Sequence, residues 1–482
     1  MAAESTSADR EDASAELSLP EEVAVVNIGL AALGEAVSAQ GATVVDLDWQ
    51  VPASGDEERV AALTRLHGRH GDRVDEANRE VLRRLDEGKP VVGRVAPALQ
   101  VVPGMDERTV LHSGPALRWE DFSGPLRRSV RATVMAEGWA SNRDEADERV
   151  AGGDVRLEPA NPHATVLPMA GTLGPSAPVF VVDNPEGGNR AYTGINQGSG
   201  KVPWMGSDEP ESVERLVWLS EVAGPLLDAV LDPDDPLNVF ALVAQGLGMG
   251  DDAHMRSQAT TNLLLRDWLP ELAGLDDPRR VELARFLSTN HLFFLNLSMA
   301  AAKAVADWAA QVGDSSLVIG MSRNGTTFGI RLAGMPDRWF VTDAPEVGNA
   351  LYHADYGPED GAPDIGDSAV LELVGLGGAA AAASPAIASF LGGTMADAVA
   401  ATEEVQRVSA GLSSRFQLPF LDFGGSPVGV DVRKVVELEI TPSINTGILH
   451  AHEPLGQVGA GVAQAPLGCF HEALFALDDA LG

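Results

Sequence analysis

The chain has one cysteine, Cys469, in 482 residues. That count excludes an internal disulfide and a cysteine-cluster metal site. Lysine is almost as scarce: Lys89, Lys201, Lys303 and Lys434 are the only ones among 34 basic residues, and the rest are arginine. Bases are outnumbered by 70 acids, leaving a net charge of −36. No basic run exists, which argues against nucleic-acid binding and against docking on an anionic membrane surface. The opening segment, MAAESTSADREDASAELSLPEE, is acidic and has no apolar run. It reads as a disordered tail over residues 1–21, not as a signal peptide. One segment, Leu373 to Gly393, is uncharged over 21 residues and needs a membrane check. It is mostly Ala and Gly with Pro385 inside, and it lacks the Leu, Ile and Phe density that drives membrane insertion. A tightly packed buried helix after a Gly-rich turn is the expectation. These absences together predict a cytoplasmic protein.

What is present is a chain of 45% hydrophobic residues, long enough to bury large cores in roughly two to four domains. Acid excess with depleted lysine suits a halophilic host, where a salty cytoplasm screens the self-repulsion of such a charge.

The pattern predicts an α/β protein: an N-terminal Rossmann-like domain over 22–154, then a larger α/β region over 155–482 with a mainly helical block, 212–312, inserted. Glu22 to Trp49 reads strand (VAVVNI), turn at Gly29, helix (LAALGEAVSAQ), Gly41 and strand (ATVVDLDW), a βαβ unit. Gly29 and Gly34 fall short of the dinucleotide fingerprint. A charged helix pair follows from Arg59 to Glu87, then the strands VVGRVA and TVLHSG, and a helix from Leu126 to Glu137. Strands with Gly/Pro turns run from Val155 to Val182. SLVIGMSRNGTTFGIRLAG reads as a hairpin with Asn324-Gly325 at its turn.

Three polar knots stand in apolar surroundings. Asp251, Asp252, His254 and Arg256 fall within six residues between two apolar segments. Asn290, His291 and Asn296 form the second knot, Arg323 and Asn324 the third. A buried polar cluster is costly unless it is paired or bound to something. The knots are therefore either helix junctions with caps and ion pairs, or parts of a site. If they form a site, His254, Asn290 and Arg323 should meet in one cleft between the helical block and the C-terminal region. The loop NRAYTGINQGSGKVPWMG places Asn196, Gly198, Gly200 and Lys201 where amide groups and one ammonium can meet an anion. It lacks the Walker spacing, and a plain flexible turn is the alternative. Five acids between Asp355 and Asp367 make either a solvated loop or a loop for a substrate or divalent cation. Near the C-terminus, Gly424, Gly425, Gly429, Asp431 and Arg433 mark one turn, and Asn445 and His450 another.

The segments QGLGMGDDAHMRSQATTNLLLR, NHLFFLNLSMAAAKA, MSRNGTTFGIRLAGMPDRWF, YGPEDGAPDIGDSA and LDFGGSPVGVDVRKVVE with PSINTGILH together resemble the YlbE-like, or AllG-like, family, from about Val23 to His452. The resemblance implies a subunit of an oxamate carbamoyltransferase of anaerobic allantoin breakdown. In that reaction oxalurate and phosphate give oxamate and carbamoyl phosphate. It also implies partners: an FdrA-like subunit and a further small subunit, in an oligomer. It assigns no catalytic residue.

The residues accommodate such chemistry. Arginine suits carboxylate and phosphate bidentately, which makes Arg256, Arg323 and Arg433 candidate anion binders. His254 is the candidate acid/base, oriented by Asp251 or Asp252. Asn290 and Asn324 are candidate oxyanion donors. The Ser-Thr-Arg-Thr and His-Pro-x-Gln signatures of the ornithine and aspartate enzymes are absent. Two other classes stay open. One is a metal-dependent amide or ureide hydrolase using Asp251, Asp252 and His254 with acids from 355–367. The other is a non-catalytic scaffold subunit of an FdrA-containing complex. No cofactor is implied beyond a divalent cation for the hydrolase.

The charge makes a testable demand. The Debye length grows from about 3 Å at 1 M salt to about 30 Å at 0.01 M, so at low salt the acids repel across much of a domain. The melting temperature is expected to rise steeply between about 0.05 M and about 3 M KCl, a range spanning that screening. A flat melting series would refute the halophilic reading.

Overall fold

The computed structural model describes residues 23–47, 49–391 and 393–482. The segment expected to be a disordered tail lies outside them. The chain divides into two compact units, Met1–Ser54 and Gly55–Gly482. In the first, β1 (Ala24–Ile28), α1 (Ala31–Ser38) and β2 (Thr43–Leu47) form the expected βαβ unit. Its two strands are parallel, with Val26 opposite Val45. Gly29 takes φ +120°, which only glycine adopts without strain, and so turns β1 into α1.

The second unit begins with α2 (Glu57–His67) and α3 (Gly71–Glu87). Asp56 caps α2 through a 2.9 Å bond from the Arg59 N–H. Next come β3 (Val91–Pro97), the single-turn α4 (Ala98–Val101), β4 (Thr109–His112), α5 (Gly124–Ala136), α6 (Arg143–Ala151), β5 (Arg156–Pro159), β6 (Thr172–Leu173), β7 (Pro178–Asn184) and β8 (Asn189–Gly194). These strands do not extend a Rossmann-like sheet. β3 pairs antiparallel with β7, and β4 pairs with β5 across the expected boundary at residue 154. The partners that β3 and β4 need come from later in the chain, and a local strand pattern does not reveal them.

Helices dominate the middle, as expected: α7 (Pro210–Trp218), a π-helical turn at Leu219–Ala223, α8 (Gly224–Val230), the short β9 (Leu237–Asn238), α9 (Val239–Gly248), α10 (Gln258–Gly274), α11 (Arg280–Thr289) and α12 (Phe293–Ala309). The sequence of α12, FFLNLSMAAAKAVADWA, is mostly apolar or small, with Lys303 paired to Asp307, which suits a helix buried nearly all round. It packs against β7 and β8 on one side and β10 on another, and against α3, α9 and α10. The remaining strands begin with β10 (Val318–Asn324) and β11 (Thr327–Leu332), the expected hairpin, followed by β12 (Phe340–Asp343), β13 (Gly348–Tyr352) and β14 (Ile365–Gly366).

The segment after Asp367 is not one helix. It makes two 3-10 turns, Ser368–Val374 and Gly377–Ala383, before α13 (Pro385–Leu391). Gly375 and Gly377, at φ +88° and +65°, break the path between the turns, and Pro385 cannot continue a helix from the residues before it. Both turns are buried, and no helix among the described residues is long and apolar enough to cross a membrane. The chain closes with α14 (Met395–Val408), β15 (Ser409–Leu418), β16 (Gly424–Val430), α15 (Val432–Leu438), β17 (Ser443–Leu449), β18 (Gln457–Gln464) and α16 (Leu467–Leu481). The sheets of the second unit run β8-β7-β3-β9, β5-β4-β6, β12-β11-β10-β14, β13-β18-β17 and β15-β16. The result is a mixed α/β protein.

Candidate functional site

The first polar knot is the loop between α9 and α10. Asp251 turns back to cap α10, accepting bonds from the N–H groups of Ala259 at 3.1 Å and Thr260 at 2.8 Å, and from the Thr260 hydroxyl at 2.9 Å. Asp252 shapes the loop itself. It accepts from the N–H groups of His254 at 3.1 Å and Arg256 at 2.8 Å, and from the Asn445 carboxamide at 2.8 Å. Asn445 lies on β17, so a residue 193 positions away fixes this turn. Neither aspartate contacts the His254 ring. That role falls to Glu372 in the 3-10 turn after β14, whose Oε1 lies 2.9 Å from His254 Nδ1.

Glu372 is only 1% exposed and His254 5%. The carboxyl is held by the Ala379 N–H at 3.3 Å, across the turn that Gly377 makes. A Cβ on Gly377 would lie 2.2 Å from Glu372 Oε1, so the close approach requires glycine. Burial pushes the Glu372 carboxyl well above its usual range, and the Asp252 charge pushes the same way. Burial, with Arg323 nearby, pushes His254 down to about 3. Both directions put the shared proton on the carboxyl. Both shifts favour a neutral pair, in which a carboxylic O–H would donate to Nδ1 and the imidazole N–H would lie at Nε2. No side chain of the described residues is bonded to Nε2.

His254 lines a cavity of about 370 Å³ together with His291, Tyr352, His353, Ser368 and Gln457. Trp204, Met205, Met255 and Leu295 supply its apolar wall. The cavity thus joins the helical block, the β13 edge and the turn that carries Glu372. No arginine or lysine stands among its lining residues. The Arg256 side chain is 39% exposed and its Nε sits 3.6 Å from Asp251.

Arg323 is fully buried and its five N–H donors are all engaged. Asp364 takes two at 2.7 and 2.8 Å, and the Gly366 carbonyl, the Ser368 hydroxyl and the Thr446 hydroxyl take the others at 2.7, 3.3 and 3.4 Å. None is left for a substrate anion, contrary to the expectation from sequence. The residue joins β10, β14 and β17 and reaches the cavity only through Ser368. Asn324 is equally committed: its carboxamide N–H groups bond Pro115 O at 3.0 Å and Thr327 Oγ1 at 2.9 Å, and its oxygen takes the N–H groups of Thr326 and Thr327. It shapes the hairpin turn and is not an oxyanion donor. Arg433 pairs with Asp431 and Asp75, each at 2.9 Å, at the start of α15 and away from the cavity. Arg323 sits where three strands meet, Asn324 in a hairpin turn and Arg433 where α15 meets α3, and each buried junction demands the same partners a ligand would supply.

Asn290 donates to the Asn196 carbonyl at 3.2 Å, and Asn196 bonds Asn296 at 3.0 Å. Gly198, at φ +84°, spends its N–H on Asn196 at 3.0 Å, which removes one amide from the expected anion cradle. Gly200 takes φ +98° and Lys201 is exposed beside it. Of the acids between Asp355 and Asp367, Asp364 and Asp367 are buried and paired, and among the described residues no group of three or more His, Cys, Asp or Glu could hold a metal ion. Asp367 accepts from the Ser322 hydroxyl and from the N–H groups of Gly114 at 2.8 Å and Leu167 at 2.9 Å. Glu372 escaped the sequence reading. Its signal was a lone acid immediately before an uncharged 3-10 segment, where a solvated carboxylate has no place.

Two outcomes follow. Arg323→Ala leaves Asp364 buried and unpaired, and is expected to destabilise the fold by about 3–5 kcal/mol in chemical denaturation. A variant as stable as the parent but weakened in substrate binding would return Arg323 to the role of anion anchor. The second concerns acid. The folded pKa of His254, about 3, lies below the unfolded value of about 6.5. The unfolded chain then binds the extra proton between those values, so this stability is complete above about pH 6.5 and is lost as pH falls. Glu372, raised on folding, has the opposite slope above its unfolded value, near 4.5. His254→Gln should therefore lose less stability than the parent between about pH 6.5 and about pH 4.5. Parallel curves would show that His254 is already protonated in the folded chain.

Residues 155–368 match the family model described as oxamate carbamoyltransferase subunit AllG. The chain is 38% identical over 414 residues to the oxamate carbamoyltransferase subunit AllG of Escherichia coli (strain K12), an alignment covering 85% of this chain and 99% of that one. It is 34% identical over 453 residues to the uncharacterized protein YahG of the same strain, covering 93% and 96% of the two chains. A crystal structure of a conserved protein of unknown function from Enterococcus faecalis V583 superposes with a TM-score of 0.83 at 34% identity, covering 85% of this chain and 99% of that chain. With the likeness to AllG extending over nearly the whole of that relative, the chain belongs to the AllG family.

Proposed function

We propose that this chain is a subunit of a carbamoyltransferase acting on oxalurate or a related ureido compound, with the His254–Glu372 pair as its proton relay. The observation that carries this reading is geometric: the buried Glu372 carboxyl lies 2.9 Å from the imidazole of His254, which stands on the wall of a substrate-sized cavity. A phosphate oxygen attacks the carbamoyl carbon, the bond from that carbon to the oxamate nitrogen breaks, and carbamoyl phosphate and oxamate leave. The departing nitrogen needs a proton. The Nε2–H of His254 supplies it as the Glu372 proton moves to Nδ1, so the imidazole never carries a full charge in the apolar wall. The proton that phosphate loses resets the pair.

Asp252 and Asn445 are positioning residues in this scheme, because they fix the loop that aims the ring. Arg256 and Lys201 are the candidate anion binders whose side chains reach solvent. An FdrA-like subunit and a further small subunit complete the enzyme, which fits a cavity whose own lining offers imidazoles and hydroxyls but no fixed cation.

The test is carbamoyl phosphate formation from oxalurate and phosphate by the chain alone and with those two partners. Glu372→Gln keeps a donor to Nδ1 but cannot transfer a proton. It is expected to lower kcat by roughly 10²–10⁴-fold with no change in melting temperature. Full activity in that variant would remove the relay, and no activity in any subunit combination would remove the carbamoyltransferase reading.

A further inference from the structure

A second cavity, of about 190 Å³, lies behind the first, and Pro168 and Trp204 line both. Its walls are the C-terminal end of α5, the turn after β6, the loop after β8 and the π-helical turn at Leu219–Ala223. Such turns recur at functional sites, because an inserted residue bends helical backbone toward a ligand. Leu167, Leu173, Ile195 and Leu216 make the surface apolar.

The charged groups on this surface are of one sign. No arginine, lysine or histidine lines it, while Glu137 and Glu221 do. A carboxylate or phosphate entering here would meet like charge and no counter-charge. Most of the polar atoms are already spent: Asn196 and Asn296 bond each other at 3.0 Å, and Asn296 also bonds the Gly194 carbonyl at 2.7 Å. Two groups are half-used. The Gln197 oxygen accepts the Trp204 backbone N–H at 2.9 Å, and its NH₂ has no partner among the described residues. Glu137 Oε1 accepts the N–H and hydroxyl of Ser176 at 3.0 and 2.9 Å, and its other oxygen has none. Burial pushes this carboxyl above its usual range, toward the protonated form. A ligand that satisfies both groups needs a carbonyl for the Gln197 N–H, a second hydrogen-bonding group for Glu137, no charge, and a short apolar portion.

We propose that this cavity is a binding site for a small uncharged primary amide, held by the carboxamide of Gln197 and the carboxyl of Glu137. The site is separate from the His254–Glu372 pair and does not depend on the reaction assigned to it. The Trp204 side chain partitions the two, its indole N–H held by the Gly198 carbonyl at 2.7 Å.

The test is a ligand titration by saturation-transfer NMR on the full chain near pH 7, with propionamide as probe and propionate as its charged counterpart. Propionamide is expected to bind saturably and propionate at least roughly tenfold more weakly, the scale of one unmatched polar contact. Gln197→Glu keeps the acceptor for the Trp204 N–H and removes the donors. It should weaken propionamide by a similar factor while its melting temperature holds. Glu137→Gln, which imitates the protonated carboxyl, should bind like the parent. Equal binding of propionate, unchanged binding in Gln197→Glu, or loss in Glu137→Gln would overturn the assignment. So would the absence of saturable propionamide binding, or binding abolished by His254→Gln, which would locate the probe in the other cavity.

Discussion

The fully buried pair of Arg323 and Asp364 organises the second unit. Two charges taken out of water are tolerated only when each remaining donor and acceptor is met. Here Asp364 comes from the residue just before β14, β14 supplies the Gly366 carbonyl, β17 supplies Thr446, and the 3-10 turn supplies Ser368. Satisfying one guanidinium therefore fixes the relative positions of three strands and the segment that follows. The turn so fixed is the one that carries Glu372 to His254. The same positive charge acts at a distance: it holds His254 lower and offsets the burial of Asp367 and Glu372.

Around this pair the protein keeps titratable groups neutral that are charged in water. Glu372 and His254 face one another in surroundings that penalise either ionised form, so their proton is shared without charge separation. An ion pair would be a poor proton relay there, because its charges would be stabilised before the reaction began. A neutral pair passes on the Nε2 proton without forming a charged imidazole, and the carboxylate left on Glu372 is reprotonated when phosphate gives up its proton. Glu137 in the second cavity follows the same rule, with burial favouring its protonated form.

The rest of the acid excess is spread over the surface, much of it beside arginine. Arg83 bridges Glu80 and Glu87 on α3, and Arg149 bridges Glu145 and Asp154 around α6. Such exposed pairs contribute little individually. They show why arginine, whose fork meets two carboxylates at once, is retained where lysine has been lost.

Local pattern was enough to read much of the secondary structure from the sequence. The βαβ unit, the α2–α3 pair, the helical block and the Asn324-Gly325 hairpin each announce themselves through periodicity, caps or turn residues, and these are set by neighbours within a few positions. His254 was legible as chemistry because an imidazole among acids between two apolar helices needs an explanation. Its partner was not. Asp251 and Asp252 are the acids nearest in sequence, yet both are consumed by backbone N–H groups. Glu372 arrives from 118 residues away because the Arg323–Asp364 pair and the Gly377 turn bring it there. The same holds for Arg323 and Asn324: sequence marks them as polar residues in an apolar setting, and a strand crossing satisfies that condition as well as a ligand does. Which polar knot is structural and which faces a cavity depends on partners distant in the chain, and only tertiary packing selects those.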